Sequence, residues 1–546
     1  MSSGELAGQP VLILREGTSR TRGSEALSNN IEAARVIAEI VRSSLGPKGM
    51  DKMIVDSFGD ITITNDGATI LKEMDVQHPA AKMMVEVAKT QDNEMGDGTA
   101  TVVVVAGELL SKAKSLIEKG VHPMIIVEGY RKAAEKALEI YDEIAIPVTP
   151  GDKGALKKIA ITSLYSKITS EDRVILSDIV VDAVLQVAQS TDGKFEVDID
   201  NVKVEKKEGG SIADTSIVQG IIIDKEMVHP GMARRIEKAK IALLDCALEV
   251  EKTEFEAKLN IERPEQMQSF LDAEEQIMRD MVKKIVKSGA NFVICQKGID
   301  DLVQHFLAEE RISAVRRVKK SDIEKLSKAT GGTIVTNIKD LTSKQLGYAD
   351  LVEERKVADD RMTFIEGCRN AKSVSILVRG GTERVVDEVE RSIHDAISVV
   401  KDMILEPKMV AGGGAPEAEV ARRLRTVATK ISGREQLAVR DFAESLEVVP
   451  MALAENAGFN TIDALVELRS LHEKGALWAG ISPFRGKVED MKKLEVFEPI
   501  GVKKQIIKSA TEACSMILRV DEIMSASKMK TGGPPKKPGD EPETED

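Results

Sequence analysis

Six consecutive residues, Gly96-Asp97-Gly98-Thr99-Ala100-Thr101, carry the side-chain types that a phosphate site needs. The two glycines leave no Cβ between backbone N–H groups and a ligand. Thr99 and Thr101 offer hydroxyls beside the N–H groups that a helix start leaves free, where the helix dipole favours an anion. Asp97 runs against that reading on its own, because a carboxylate at about 4 Å repels a phosphate charge by about 4 kcal/mol at an effective dielectric of about 20. A divalent cation between them reverses the sign, and Mg²⁺ prefers one or two carboxylates together with phosphate oxygens and water. The stretch reads as a phosphate-and-magnesium turn. An ordinary Gly-containing turn between two helices fits the same six residues equally well.

The flanking segments place this turn. Residues 79–91 carry Met83, Met84, Val87 and Ala88 at helical spacing, and residues 102–117 are apolar enough for a buried helix. The motif thus ends one helix and opens another. Leu45-Gly46-Pro47-Lys48-Gly49 stops an earlier helix, whose face is marked by Ile31, Ala34, Ile37, Ala38 and Val41 and whose capping box is Asn29-x-x-Glu32. A hairpin is predicted from strands at 53–55 and 61–64 around Phe58-Gly59-Asp60, and it runs into Asn65-Asp66-Gly67-Ala68-Thr69, a second Asp-Gly turn. Far downstream, the glycine run Gly412-Gly413-Gly414 opens one more helix.

Composition narrows the class. The chain has 546 residues, enough for two to four domains, and only one Trp and four Tyr, so its cores are aliphatic. A net charge of −13 argues against general nucleic-acid binding. No apolar run reaches the length of a membrane span, and the first thirty residues lack the apolar segment of a signal peptide. Cys246, Cys295, Cys368 and Cys514 are too scattered for a zinc site or a disulfide framework, so reduced cytosolic thiols are expected. Neither Gly193-Lys194 nor Gly486-Lys487 is followed by Ser or Thr, so there is no Walker A sequence, and protein-kinase signatures are absent.

Along the chain, residues 1–22 read as a polar arm and composition shifts at 147–151. Residues 155–190 read as helical, with Thr162-Ser163-Leu164-Tyr165-Ser166-Lys167 as a polar interruption. Short strand-like runs at 217–223, 241–244, 291–295, 312–315 and 333–336 alternate with helices, the pattern of an α/β domain with some parallel strands. Within it, residues 250–288 are too long for a plain crossover and predict an apolar projection that needs a partner. Residues 370–406 read as helix, the segment to about 525 is again helical and aliphatic, and 526–546 has the composition of a disordered tail. The two helical ends could form halves of one domain around the inserted middle.

Several motifs, in order, resemble those of group II chaperonins, and of their archaeal thermosome branch above all: LGPKG at 45–49, NDGAT at 65–69, GDGTAT at 96–101, HDAI at 394–397, GGGAPE at 412–417 and GKVEDM at 486–491. The stretch 296–332 is similar to their substrate-facing domain, and the likeness spans about residues 10–525. The resemblance implies a multidomain α+β chaperonin fold. Residues 1–150 and 407–525 would be a helical equatorial ATP domain, and 151–216 with 370–406 a small intermediate hinge. An α/β apical domain at 217–369 would bear a helical protrusion, or lid, at 250–288. It further implies a cytoplasmic ATPase that needs Mg²⁺, assembles with identical or sibling subunits in two stacked rings, and folds non-native client proteins. No nucleic acid or membrane partner is implied.

Carried over by position, Leu45, Gly46 and Pro47 would line the phosphates or base. Gly98, Thr99, Ala100 and Thr101 would hold phosphate oxygens, and Asp97 would bind Mg²⁺. Asp395 resembles the family's catalytic aspartate on the hinge, with Asp66 its partner in positioning water. Ser166 and Lys167 would face the terminal phosphate. Gly413 and Gly414 would close over the nucleotide, with Gly480, Glu498 and Lys503 near base and ribose. The chain departs from the pattern at Ala100, usually Thr, which predicts weaker binding by one hydrogen bond of about 0.5–1.5 kcal/mol. Ser482-Pro483 replaces a more usual Asn-Val, and the tail lacks Gly-Gly-Met repeats. An acidic, aliphatic scaffold that assembles without chemistry is the competing expectation.

Overall fold

The structure is a computed structural model that describes residues 19–168, 170–191, 194–250, 264–368 and 373–525. The arm at 1–18, the start of the projection at 251–263 and the tail at 526–546 lie outside the described residues.

Three large hydrophobic cores organise the chain. The first draws on both ends: residues such as Ile31, Met84, Val103, Leu110 and Tyr130 pack with Leu424, Phe442, Leu446, Ile507 and Leu518. Its centre is the helix Thr99–Glu118, whose valine run is buried on every side. A helix apolar all round can be stable only inside other helices, and here Gly23–Arg42, Pro123–Ile144, Glu435–Leu446 and Ile500–Leu518 surround it. The second core fills a seven-stranded sheet. Arg235–Leu244 stands near its middle, parallel to Phe292–Cys295 and to Ile334–Val335, and antiparallel to Gly347–Val357. The third core packs the helices Lys153–Ser163, Ser170–Val187 and Glu383–Leu405 on a small sheet in which Val374–Gly380 lies parallel to Val202–Glu208.

The connections nest these bodies. The chain leaves the first core beside Ile146–Pro147 and returns through Lys408–Ala411, which pairs with it (Met409 opposite Ile146). It leaves the small sheet after Val202–Glu208 and Ser216–Val218, and returns to it as Val374–Gly380. Two strands therefore clamp each excursion at its base.

Several expectations are corrected. The first helix starts at Gly23, not at Asn29, and Asn30 is buried within it. Its start is set at long range, by pairing of Ser19–Arg22 with Glu522–Ser525 and by the Gly23 N–H on the Asp521 carbonyl (2.7 Å). The run 217–223 is two strands in two sheets, broken at Gln219. Residues 370–406 are not all helix, because Val374–Gly380 is a strand of the small sheet. The hairpin Gly347–Val357 with Asp360–Cys368 went unseen, since its strands are full of charge. Cross-strand ion pairs hold those charges, Arg355–Glu366 at 2.6 Å and Arg361–Glu354 at 2.9 Å. In the projection, the helix Pro264–Ser288 buries Met278, Val282 and Ile285 while Leu271 and Ile277 are exposed.

Candidate nucleotide site

A cavity of about 410 Å³ opens where the first core meets the third, a volume ordinary for a small-molecule site. Leu45, Gly46, Pro47, Asp97, Gly98, Thr101, Ser166, Gly413, Gly414, Glu498 and Lys503 line it. Both chain ends and the turn after Lys153–Ser163 thus contribute to one wall-to-wall pocket. Thr99, Ala100, Lys167 and Gly480 do not line it, nor do Asp66 and Asp395.

Local structure explains the lining. Gly98 is the cap of the helix Thr99–Glu118 at φ +78°, a left-handed conformation that only glycine takes without strain. A Cβ there would stand 2.9 Å from Ile506 Cδ1. Asp97 Oδ1 accepts the Gly98 N–H at 2.7 Å, and Gln91 Nε2 donates to the Asp97 carbonyl at 2.9 Å. The LGPKG turn is pinned by a residue the sequence did not flag: Asn456 Nδ2 donates to the carbonyls of Leu45 (2.8 Å) and Arg42 (3.0 Å). The strand Ala479–Ser482 backs the glycine run through the Ile481 N–H on the Gly413 carbonyl (2.8 Å), and this puts Gly480 beneath the turn, buried, instead of in the pocket. Buried His472 ties that strand down, with one ring nitrogen 3.0 Å from Glu419 Oε2 and the other 2.9 Å from the Ala479 carbonyl.

Beside the cavity lies a polar cluster assembled from four segments. Asp66 caps the helix Gly67–Glu73, its Oδ2 accepting the Thr69 N–H at 2.8 Å and its Oδ1 the Thr99 hydroxyl at 2.9 Å. This is what Thr99 does in place of facing the pocket. Ala100 packs instead against the backbone of Gly67. Asp395, in the helix Glu383–Leu405, forms a buried ion pair with Lys167. The approach of that helix depends on Gly96, where a Cβ would fall 2.4 Å from Ser398 Cβ and 3.6 Å from Asp395 Cα.

Charge in the cluster is unbalanced. Burial works against the Lys167 ammonium, but Asp395, Asp66 and Asp97 together outweigh it and raise its pKa. Burial raises the Asp395 carboxyl well above the usual range, Lys167 draws it back, and Asp66 pushes it up again. For Asp66, burial is outweighed by Lys167 and by the Thr69 and Thr99 hydrogen bonds, so its pKa is lowered. Asp92, nearby, is raised by burial and by Asp66. One lysine therefore serves several carboxylates, and the set calls for more positive charge. No group of three metal-ligating side chains occurs among the described residues. A cation here would have to complete its shell with ligand oxygens and water, which is the habit of Mg²⁺.

At the far wall, Lys503 is buried between Glu417 (2.8 Å) and Glu498 (2.5 Å). Burial opposes its charge, but the two glutamates prevail and raise its pKa. Lys503 is thereby committed to holding Glu498 at the rim. Tyr165 and Phe484 also line the pocket, and neither was expected from spacing.

Three comparisons bear on this geometry. Residues 37–528 match the TCP-1/cpn60 chaperonin family. The chain is 58% identical over 526 residues to a thermosome subunit of Pyrococcus abyssi, covering 96% of each chain. It is 56% identical over 542 residues to a thermosome subunit alpha of Archaeoglobus fulgidus, covering 99% of each. Among solved structures it is similar to the open-state monomer of a group II chaperonin from Methanococcoides burtonii. That match has 46% identity and a TM-score of 0.61, over 78% of this chain and 100% of that one.

Proposed function

The chain belongs to the TCP-1/cpn60 chaperonin family and is a chaperonin subunit, and from that premise we propose that it binds ATP with Mg²⁺ in the cavity between its first and third cores and hydrolyses it to drive the folding of non-native proteins. Chaperonins of this family are ATP-dependent in general. The observation that carries the reading is the meeting, beside one cavity, of the Gly98-capped helix start with Asp66, Asp97, Lys167 and Asp395.

The chemistry follows from the side chains. The free N–H groups at the start of Thr99–Glu118 and the Thr101 hydroxyl receive phosphate oxygens. Mg²⁺, held by Asp97, supplies the charge that lets a triphosphate lie against carboxylates. Asp395, its carboxyl raised by burial, accepts a proton from the attacking water, and Asp66 orients that water while Thr69 and Thr99 fix its own position. Lys167 pairs with Asp395 and stands ready for the terminal phosphate. Asp395 arrives on the hinge helix, so turnover depends on how closely the hinge body seats against the nucleotide body. In this reading, residues up to 150 and from 407 to 525 form the equatorial ATP domain. Residues 151–216 and 370–406 form the hinge, and 217–369 the apical domain that meets clients, with the helix Pro264–Ser288 part of the lid. The subunits would assemble with identical or sibling copies into two stacked rings in the cytoplasm. No helix among the described residues is long and apolar enough to cross a membrane.

The test is refolding of a chemically unfolded client by the purified assembly, with phosphate release measured alongside. Rescue should need ATP and be abolished by chelating Mg²⁺. Rescue that proceeds equally without nucleotide would replace this reading with that of a passive scaffold.

A further inference from the structure

Two aromatic rings that line the cavity, and that touch each other, come from different bodies. Tyr165 stands in the turn after Lys153–Ser163, part of the third core, and Phe484 stands at the tip of the hairpin Ala479–Ser482 with Lys487–Asp490, which packs on the first core. Their centroids lie 5.4 Å apart at an interplanar angle of 42°. A cation caps the pair on each side: the Arg173 guanidinium lies 3.9 Å from the Tyr165 centroid, and Lys48 Nζ lies 5.5 Å from that of Phe484. Lys48 belongs to the LGPKG turn and Arg173 to the helix Ser170–Val187, so the stack runs from one body to the other.

Two features mark this stack as more than packing. Phe484 is 55% exposed, so its ring is not held by a core, and its partner across the gap is Tyr165. Arg173 is buried at 9% exposure, its guanidinium set on the Tyr165 ring and its Nε without a hydrogen-bond partner among the described residues. Aromatic and cation–π contacts of this geometry are individually modest and reversible, suited to a contact that must open in each cycle.

We propose that Tyr165 and Phe484 form the closing contact of the nucleotide cavity, so that parting of the two rings sets the rate at which spent nucleotide leaves. The inference rests on the nucleotide reading of the cavity. It adds to that reading a gate that acts on release and not on the bond being cleaved.

A double-mutant cycle tests it in the assembled protein, with a fluorescent ADP released into excess unlabelled ADP and followed by stopped flow. Tyr165→Ala and Phe484→Ala should each speed release by roughly 2–12-fold, the range such ring pairs command. The double variant should release no faster than either single one. Tyr165→Phe, which keeps the ring, should retain the slow rate. Release at the unmodified rate in both alanine variants would overturn the gate, as would effects that multiply in the double variant. Failure of the unmodified assembly to bind the fluorescent ADP would instead overturn the nucleotide reading itself. Size-exclusion profiles and melting temperatures matching the parent show that any change in rate is not loss of assembly.

Discussion

The two bodies that meet beside the cavity hold their carboxylates differently. On the first-core body, the turns beside the cavity are held by local hydrogen bonds: Asp66 accepts from its helix start and from the Thr99 hydroxyl, Asp97 takes the Gly98 N–H, and Asn456 ties off two carbonyls of the LGPKG turn. On the third-core body, Asp395 has a single ammonium for company. Asp402, two turns further along the same helix, keeps one buried oxygen without a partner among the described residues. A carboxylate tied down by hydrogen bonds keeps its place, because moving it breaks bonds of about 1 kcal/mol each. An under-satisfied carboxylate stores its electrostatic cost and gains whenever new positive charge or a proton reaches it. On the proposed reading, the first-core body holds the ligand and orients water through Asp66, while the helix Glu383–Leu405 brings the proton acceptor Asp395.

The largest effect should come from removing the hinge carboxylate. Asp395→Ala is expected to lower the turnover number for ATP by at least about tenfold, while the dissociation constant for ATP stays within about twofold. Pre-steady-state phosphate release together with equilibrium binding separates the two quantities.

Asp402 sharpens the same contrast through stability. Burial pushes its carboxyl up to about 7, against the pull of Lys401 at 3.6 Å. Between its ordinary value of 3.8 and 7, the folded protein binds a proton that the unfolded chain does not. Stability therefore falls as pH rises through that window, and the full cost, about 4 kcal/mol as an upper figure, is present above it. Asp402→Asn should raise the melting temperature at pH 8 and give no advantage at pH 4.

Gly98→Ala probes the holding wall. A non-glycine residue at φ +78° costs about 1–2 kcal/mol, and the new methyl group presses on Ile506 and Val502. ATP affinity should weaken by roughly tenfold, with the turnover number at saturating ATP nearly unchanged. The smallest effect belongs to Ala100→Thr. Ala100 faces the Gly67 backbone and not the cavity, so a hydroxyl there meets no ligand and affinity should change by less than about twofold. The weaker binding expected from Ala100 at the sequence level loses its basis for the same reason.

Legibility in the sequence followed the range of the forces. Turns were readable because glycine and Asp-Gly pairs are local signals: the hairpin around Phe58-Gly59-Asp60 and the helix opening after Gly98 are where spacing put them. Buried helices were readable from apolar runs such as 102–117. The strands 347–357 and 360–368 were not, because the charged run 353–356 and its cross-strand ion pairs interrupt any hydrophobic period. The start of the first helix escaped because its determinant, the strand Glu522–Ser525, lies some five hundred residues away. In the site, motif residues were legible as a set but not by orientation. Thr99 and Thr101 look alike in GDGTAT, yet one turns to Asp66 and the other to the pocket. Tyr165, Phe484, Asn456 and His472 carry no local pattern, and only the fold brings them to the cavity.

The decisive measurement is a structure of the assembled protein with ADP, Mg²⁺ and a fluoride mimic of the transferred phosphate. The account requires the nucleotide in the cavity lined by Gly46, Gly98 and Gly413, with the metal on Asp97 and with Asp66 and Asp395 flanking the water in line with the mimic. A nucleotide seated elsewhere, or Asp66, Asp97 and Asp395 standing apart around an occupied cavity in a closed assembly, would contradict it.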